Sequence, residues 1–196
     1  MLLTVPMLGH FEPGAAIKRG EQNIVMVSRW LTAPAVAFVF AVATAVPQSA
    51  QARGIVGFSG NYSAGTVVVR TNGRSLYYVL GGGKAIRYPV GVGRAGRQWT
   101  GTTFINGKSL RPAWVPPAVV RRDKPNLPLV VPAGAPNNPV GAAVLFLAGG
   151  ERAIHGTNNP GSIGGAVSYG CIRMLNADVL DLYGRVGFGT QVIVTR

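Results

Sequence analysis

Short apolar and β-branched runs, separated by turn residues, make up most of the chain after residue 65. One such separator is Asn72-Gly73, and an Asn-Gly pair between two alternating runs is a strong hairpin signal. The glycine-rich stretch 81–84 is the next turn signal. We therefore predict β-strands over six runs, at residues 65–71, 75–80, 86–92, 140–148, 152–155 and 191–195.

One segment near the C-terminus has helical spacing instead. Its apolar residues recur at intervals of three and four: Val179, Leu182, Tyr183 and Val186. Such spacing places them on one face of a helix. Asn176 is the predicted N-cap, Asp178 suits the positive first turn, and Gly187 is the predicted stop.

The stretch from residue 111 to 138 contains seven prolines. We predict a mostly irregular loop there, and a loop of this length in so small a domain usually has a function. The sequence thus predicts a mainly β fold, a sandwich or barrel, with one short C-terminal helix and a long Pro-rich loop. We find no internal repeat and no second domain.

The first 52 residues are predicted to be a leader. Arg29 is followed by 23 uncharged residues, which end in Ala50-Gln51-Ala52. A basic residue, an apolar core and a small-x-small exit are typical of a secretory signal peptide. We assign residues 26–52 to the signal peptide and 1–25 to an extended or mis-assigned N-terminus, with 53–196 as the domain and periplasmic export as the expectation. An uncleaved membrane anchor is the alternative.

The predicted domain is strongly basic, with 16 of the 19 Lys and Arg residues and four of the six acids. A charge of this sign favours polyanions. The basic residues are spread singly, and no zinc-finger or other nucleic-acid motif is present. We expect an anionic polymer outside the cytoplasm as partner and no nucleic acid; charge for solubility alone is the alternative.

Three further motifs do not lead to a site. The G-x-G-x-x-G pattern at 91–96 is followed by β- or turn-type residues, whereas a dinucleotide site needs a helix there. The stretch 101–109 resembles a phosphate-binding loop, but five residues rather than four separate its glycines. The predicted domain has one His, one Cys and four acids without metal-ligand spacing, so we expect no metal and no cofactor.

Cys171 and His155 are the candidate catalytic pair. They are the one cysteine of the chain and the one histidine of residues 53–196, and they lie 16 residues apart. A nearby imidazole can take the proton of a thiol and so activate it as a nucleophile. The N–H groups of Gly170 and Cys171 could then stabilise an oxyanion. From the residues alone, acyl transfer or amide hydrolysis is one interpretation, and a buried cysteine unrelated to a core histidine is the other.

The order of the pair narrows the first interpretation. Papain-like and NlpC/P60 peptidases place the cysteine before the histidine, and sortases have a different context around their cysteine. The segment His155-Gly156 followed by Ser168-Tyr169-Gly170-Cys171-Ile172-Arg173 resembles the catalytic motif of the L,D-transpeptidase domain of the YkuD type. Further matches lie at 88–93, 112–117, 134–141 and 189–194, so the resemblance spans about 66–194.

This resemblance implies a site and a reaction. Cys171 would attack the carbonyl of the third residue of a peptidoglycan stem tetrapeptide, with His155 as base and the Gly156 carbonyl orienting it. The resemblance adds Tyr169 to the amides of the oxyanion hole. Arg173 and Ser168 are the expected substrate-binding residues, with a salt bridge as the alternative role of Arg173.

The sequence leaves three acyl acceptors open: a second stem, an outer-membrane protein or lipoprotein, and water. With water as acceptor, the protein would be an L,D-carboxypeptidase. A non-catalytic wall-binding module is a further alternative. Carbapenem-type β-lactams are the expected covalent inhibitors. The chain departs from the family pattern at Tyr169, which replaces the usual histidine, and at Trp99-Thr100-Gly101, which replaces a Thr-Pro-x-Gly segment.

Overall fold

The computed structural model describes residues 52–196. These residues form ten β-strands, two α-helices and one 3₁₀ turn. In chain order the elements are β1 (Gly54–Gly57), β2 (Val67–Arg70), β3 (Ser75–Gly81), β4 (Lys84–Gly93), β5 (Gly101–Leu110), α1 (Ala118–Asp123), β6 (Ala143–Leu147), β7 (Ala153–His155), the 3₁₀ turn (Pro160–Ser162), β8 (Ala166–Ser168), β9 (Ile172–Met174), α2 (Asn176–Arg185) and β10 (Gln191–Thr195).

The six predicted strands all form, and both predicted turns join antiparallel neighbours. β2 pairs with β3, and β3 pairs with β4. In the second turn, Gly82 and Gly83 have φ of 57° and 70°, a left-handed conformation that glycine adopts without steric cost. The phosphate-loop and dinucleotide patterns are both excluded, because residues 101–109 lie within β5 and no helix follows β4.

The strands close into one sheet. Its order is β1-β4-β3-β2-β10-β5-β6-β7-β9, and β9 also pairs with β4. Closure is possible because β4 is ten residues long: its first half pairs with β1 and β3, and Val90 and Gly91 pair with β9. The fold is therefore mainly β, as predicted, and β1, β5, β8 and β9 are strands that the apolar pattern alone did not predict.

Alternate residues of the strands fill the interior of this sheet. The main core contains nineteen buried residues, among them Leu76, Tyr88, Leu145 and Ile172. Helix α2 adds Val179 and Leu182 to it, as the helical spacing predicts. A smaller cluster around Phe58 and Val68 covers the outer face of β2 and β3. Burial of these apolar side chains is the main stabilising contribution to the fold.

The Pro-rich stretch is mostly irregular, as predicted, and contains the short helix α1, which begins directly after Pro117, whose fixed φ suits a helix start. One detail of the prediction for α2 is wrong. Asn176 is not the N-cap of α2; Leu175 holds that position, and the Asn176 side chain bonds elsewhere. The helix ends at Arg185, two residues before the predicted stop.

The predictions for residues 1–25 and for the signal peptide fall outside the described residues, apart from Ala52. Across residues 52–196, no helix has the length and apolar character needed to cross a bilayer.

Candidate active site

The fold brings Cys171 and His155 to one face of the sheet. β7 and β9 are parallel neighbours, with Ile154 opposite Ile172 and His155 opposite Arg173. Side chains alternate between the faces of a strand. Ile154, Ile172 and Met174 enter the core, so His155, Cys171 and Arg173 lie on the opposite face. Given a strand spacing of ~4.8 Å and a rise of ~3.3 Å per residue, Cys171 and His155 are diagonal neighbours about 8 Å apart at Cβ.

His155 is held in a single orientation. Its side chain is buried, and Nδ1 lies 2.6 Å from the carbonyl oxygen of Gly156. A carbonyl only accepts, so Nδ1 carries the proton of the neutral ring and Nε2 is left as the acceptor. Burial lowers the pKa of His155 to about 4, against the opposing effect of the Gly156 carbonyl. The ring is therefore a neutral base at physiological pH.

The environment of Cys171 favours the neutral thiol at rest. Burial raises its pKa, while the backbone N–H of Ala153 and the charges of Arg173 and Arg152 act in the opposite direction. The thiol packs against Val140, Val144 and other apolar residues beside it. Because burial acts on both partners, the resting pair is a thiol and a neutral imidazole rather than an ion pair.

The loop before Cys171 is fixed by its own hydrogen bonds. The Ser168 hydroxyl donates to the Cys171 carbonyl at 2.6 Å and accepts from the Gly170 N–H at 3.0 Å. The Gly170 carbonyl accepts from Nε1 of Trp99 at 2.9 Å. Gly170 itself has a φ of 123°, a conformation that disfavours other residues.

These bonds bear on two predictions. Ser168 is 2% exposed and its hydroxyl both donates and accepts within the loop, so it positions Cys171, and its substrate-binding role stays a prediction. The N–H of Gly170 is likewise engaged by Ser168 and is not available to an oxyanion. The amides of Tyr169 and Cys171 remain from the predicted set.

Tyr169 connects the catalytic loop to α1. The guanidinium of Arg94 lies over its ring, 4.1 Å from the centroid, and donates to Asp123 of α1 at 2.7 Å. The pKa of Asp123 is lowered, mainly by Arg94 and further by the Tyr169 hydroxyl. Tyr169 thus supplies an aromatic face and a hydroxyl at the position where the family pattern has a histidine.

Arg173 is half-buried next to the pair. Its Nε is buried without a hydrogen-bond partner in the described part of the chain. Its charge lowers the pKa of both His155 and Cys171. Residues 52–196 offer Arg173 no salt bridge, which removes the structural alternative for this residue within that range. A half-buried guanidinium group without an ion-pair partner in this range is suited to an anionic ligand.

Asn176 is a positioning residue beside the active site and not the N-cap of α2 that the sequence predicts. Its Oδ1 accepts from the backbone N–H groups of Ala142 and Thr157, both at 3.0 Å. A Cβ atom on Gly141 or Gly156 would collide with this oxygen. Asn176 therefore holds the backbone beside Gly156, whose carbonyl orients His155. The position of Asn176, five residues after Cys171 in the chain, gave no signal of this contact.

The Pro-rich segment covers this face of the sheet. Trp114 and Val131 exchange backbone hydrogen bonds of 2.9 and 2.8 Å, which close the segment on itself. The buried Asn138 donates from Nδ2 to the carbonyls of Pro112 and Pro132 and accepts from the N–H of Val140. Trp114 packs beside Cys171. Two cavities of about 270 and 410 Å³ lie beneath this cover, and both are lined by Cys171 and His155.

Within residues 52–196, no three His, Cys, Asp or Glu side chains converge as metal ligands. The arrangement supplies a thiol, a neutral base with Nε2 as its acceptor, backbone amides and an unpaired cation. Such a set can form and break a covalent acyl-thioester bond at a carbonyl carbon.

The buried histidine predicts a pH-dependent stability. Its folded pKa of about 4 lies below the ordinary value of 6.5, so the unfolded chain binds the proton more strongly between these pH values. Stability is therefore full above pH 6.5 and falls as the pH drops to 4. Between pH 6.5 and pH 4, the free energy of unfolding of wild type should fall by about 3 kcal/mol more than that of His155→Gln, as measured by urea denaturation. Equal pH slopes in the two proteins would contradict the buried neutral ring.

Comparison with known proteins identifies the family of the domain. Residues 64–194 match the L,D-transpeptidase catalytic domain family YkuD. A probable L,D-transpeptidase ErfK/SrfK of Salmonella typhimurium is 40% identical over 135 residues, which are 64% of this chain and 42% of that protein. The chain thus spans about two fifths of the length of this curated relative.

Solved structures show the same fold. An L,D-transpeptidase from Mycobacterium smegmatis aligns with a TM-score of 0.54 at 20% identity, covering 67% of this chain and 58% of its own. L,D-transpeptidase 3 from Mycobacterium tuberculosis, in complex with a faropenem-derived adduct, aligns with a TM-score of 0.50 at 15% identity, covering 67% and 60%. The family match at residues 64–194 contains the whole catalytic face.

Proposed function

Because the chain belongs to the L,D-transpeptidase catalytic domain family, we propose that it is an exported cysteine acyltransferase of the cell wall. Its substrate is the peptidoglycan stem tetrapeptide, which it cleaves after the third, L-centred residue. The observation that carries the proposal is the register of β7 and β9, which sets Cys171 beside a histidine whose Nδ1 is bound by the Gly156 carbonyl. The periplasm is the proposed location.

The first half of the reaction uses the neutral pair. Nε2 of His155 takes the thiol proton as Sγ of Cys171 attacks the carbonyl carbon of the third residue. The N–H groups of Tyr169 and Cys171 stabilise the oxyanion that forms. The intermediate collapses by breaking the peptide bond, the imidazolium protonates the leaving nitrogen, and D-alanine departs. Because the resting pair is neutral and the thiolate is the attacking species, the proton transfer to Nε2 has to accompany the attack.

Arg173 binds a carboxylate of the donor stem in this proposal. The buried Nε lacks a partner, and the residue lines the smaller of the two cavities together with Cys171. A bidentate guanidinium–carboxylate pair would satisfy that group and fix the stem relative to Sγ. Burial lowers the pKa of Arg173 from its ordinary value, which reflects the unfavourable desolvation that a bound anion would offset.

In the second half an amine attacks the thioester, and a second stem or an outer-membrane protein or lipoprotein is the proposed source. The faropenem-derived adduct of the Mycobacterium tuberculosis enzyme supports the proposal that β-lactams acylate Cys171 here, with the carbapenem type as the proposed class. The same thioester opened by water would make the protein an L,D-carboxypeptidase, and both reactions are measured by one experiment.

That experiment incubates the purified protein with disaccharide-tetrapeptide and follows the products by mass spectrometry. We expect release of D-alanine together with cross-linked dimers. Tripeptide alone would assign the hydrolase reaction. No product and no carbapenem adduct on Cys171 would contradict both enzymatic functions and favour a wall-binding module with a basic surface.

A further inference from the structure

Glu151 differs from every other acid of the described domain. Residues 52–196 contain four acids, and three of them form ion pairs: Asp123 with Arg94, Asp178 with Arg53, and Asp181 with Arg185. Glu151, in the turn between β6 and β7, forms none of the salt bridges found in this range. In a domain with 16 basic residues, a carboxylate without a cationic partner is unusual.

Its place in the fold is beside the nucleophile. The Glu151 carbonyl oxygen lies 3.9 Å from Sγ of Cys171. Glu151 lines both cavities that contain Cys171 and His155. Burial is the main cause of the raised pKa of Cys171, and the negative charge of Glu151 contributes in the same direction. The Glu151 backbone therefore adjoins the nucleophile, and the residue forms part of the wall of both cavities.

The two cavities differ in character. The smaller one extends to Arg173, Ser168 and Tyr169, which suits the anionic donor stem. The larger one, of about 410 Å³, is lined mainly by apolar residues such as Pro112, Trp114 and Phe146 and lacks Arg173. Its charged lining residues are Glu151 and Arg152.

Arg152 carries the opposite charge in the same lining, and its effect on the pKa of Cys171 is opposite to that of Glu151. Its guanidinium lies over the ring of Trp99, 4.6 Å from the centroid, and forms none of the salt bridges found in residues 52–196. Glu151 is thus the one carboxylate that lines the larger cavity, which contains Cys171 and lacks Arg173. A ligand there meets an apolar wall, the Arg152 side chain and one carboxylate that can pair with an ammonium group.

We propose that Glu151 selects an acyl acceptor that carries a positive charge, and that this acceptor reaches Cys171 through the larger cavity. The proposal rests on the proposed transferase function. A carboxylate beside the site of attack raises the local concentration of ammonium groups over neutral amines and water. It therefore determines which nucleophile opens the thioester.

The amine, Cys171 and His155 together account for every bond and proton in the acceptor step. A neutral amine nitrogen attacks the thioester carbonyl carbon, and Nε2 of His155 takes the proton that the nitrogen loses. The carbon–sulfur bond breaks as the carbon–nitrogen bond is completed, and the thiolate of Cys171 regains its proton from the imidazolium. Glu151 takes no part in the bond changes; it attracts a second, charged group of the same acceptor molecule.

A competition between two matched amines tests the proposal. The protein is supplied with disaccharide-tetrapeptide and equal concentrations of D-lysinamide and D-norleucinamide, which share an α-amine and differ in the terminal ammonium group. The ratio of the two transfer products is read by mass spectrometry, with D-alanine release measured in the same samples. We expect wild type to favour D-lysinamide about fivefold, as a charge attraction of about 1 kcal/mol gives.

Three variants and one salt series complete the test. Glu151→Gln, which keeps the shape of the side chain, should bring the ratio close to that of the uncatalysed amines, and Glu151→Lys should favour the neutral amine. Glu151→Asp should retain part of the preference. In 1 M NaCl the wild-type preference should fall, because screening weakens the attraction.

The outcomes separate this proposal from the function on which it rests. Equal ratios in wild type and Glu151→Gln, with D-alanine released and both products formed, overturn the role of Glu151 alone. A salt-independent preference does the same. If wild type releases no D-alanine, the proposed function fails and the acceptor proposal fails with it.

Discussion

Replacement of Cys171 by alanine is expected to abolish D-alanine release, with a loss of at least about 10³-fold in kcat/KM. The thiol is the one nucleophile on the catalytic face, so its removal leaves no atom to form the thioester. Product formation from disaccharide-tetrapeptide is followed by mass spectrometry, with a carbapenem as an independent probe. Neither product nor adduct should be detected.

The fold should survive this change. Cys171 is half-buried at the edge of a small apolar cluster, and its loss should cost about 1 kcal/mol in the free energy of unfolding. Thermal unfolding followed by circular dichroism measures this, and Cys171→Ser serves as the isosteric control. A variant that unfolds, or one that keeps its activity, would favour the interpretation of Cys171 as a structural residue.

Replacement of Asn138 by alanine is expected to have the largest effect among residues that take no part in the chemistry. Its side chain is 2% exposed and makes three hydrogen bonds, which join both ends of the Pro-rich segment to the start of the β6 region. Loss of these bonds leaves the buried N–H of Val140 and two part-buried carbonyl groups without this partner. We expect the free energy of unfolding to fall by about 2–4 kcal/mol and kcat/KM to fall about tenfold.

Asn137 supplies the matched control for this prediction. It is the same residue type one position earlier, it is exposed, and it enters the hydrogen-bond network through its backbone carbonyl. Asn137→Ala should therefore change stability by less than about 0.5 kcal/mol. Urea denaturation measures the free energy of unfolding of both variants. Equal losses in the two would show that the Asn138 side chain does not hold the Pro-rich segment in place.

The apolar pattern predicts the local part of this fold well. Hairpin turns at 72–73 and 81–84 and the helical face of α2 depend on neighbouring residues, and all three form. Closure of the sheet could not be predicted from the pattern of neighbouring residues. It depends on β4 pairing with β9, strands about 80 residues apart, and on β10 lying parallel to β2. Such pairings leave no periodic signal in either strand.

In the candidate site, too, some features could be predicted from the sequence and others depend on distant contacts. Residue types and spacing indicated Cys171 and His155, because thiol chemistry needs those two groups. The tasks of Ser168 and Asn176 could not be predicted, since each depends on which backbone groups the loops bring within hydrogen-bonding distance. Glu151 gave no sequence signal at all, because its unpaired state is a property of where the 16 basic residues come to lie.

The closed sheet also has a kinetic consequence. β2 pairs with a strand about 125 residues further along the chain, and the strand that follows the nucleophile completes the ring against β4. Chains dominated by such distant pairings fold slowly, because each loop must be closed before its contacts form. Cys171 and His155 are adjacent only once β7 and β9 have aligned. Regain of activity during refolding should therefore report completion of the ring, and an incompletely folded chain carries a thiol without its base.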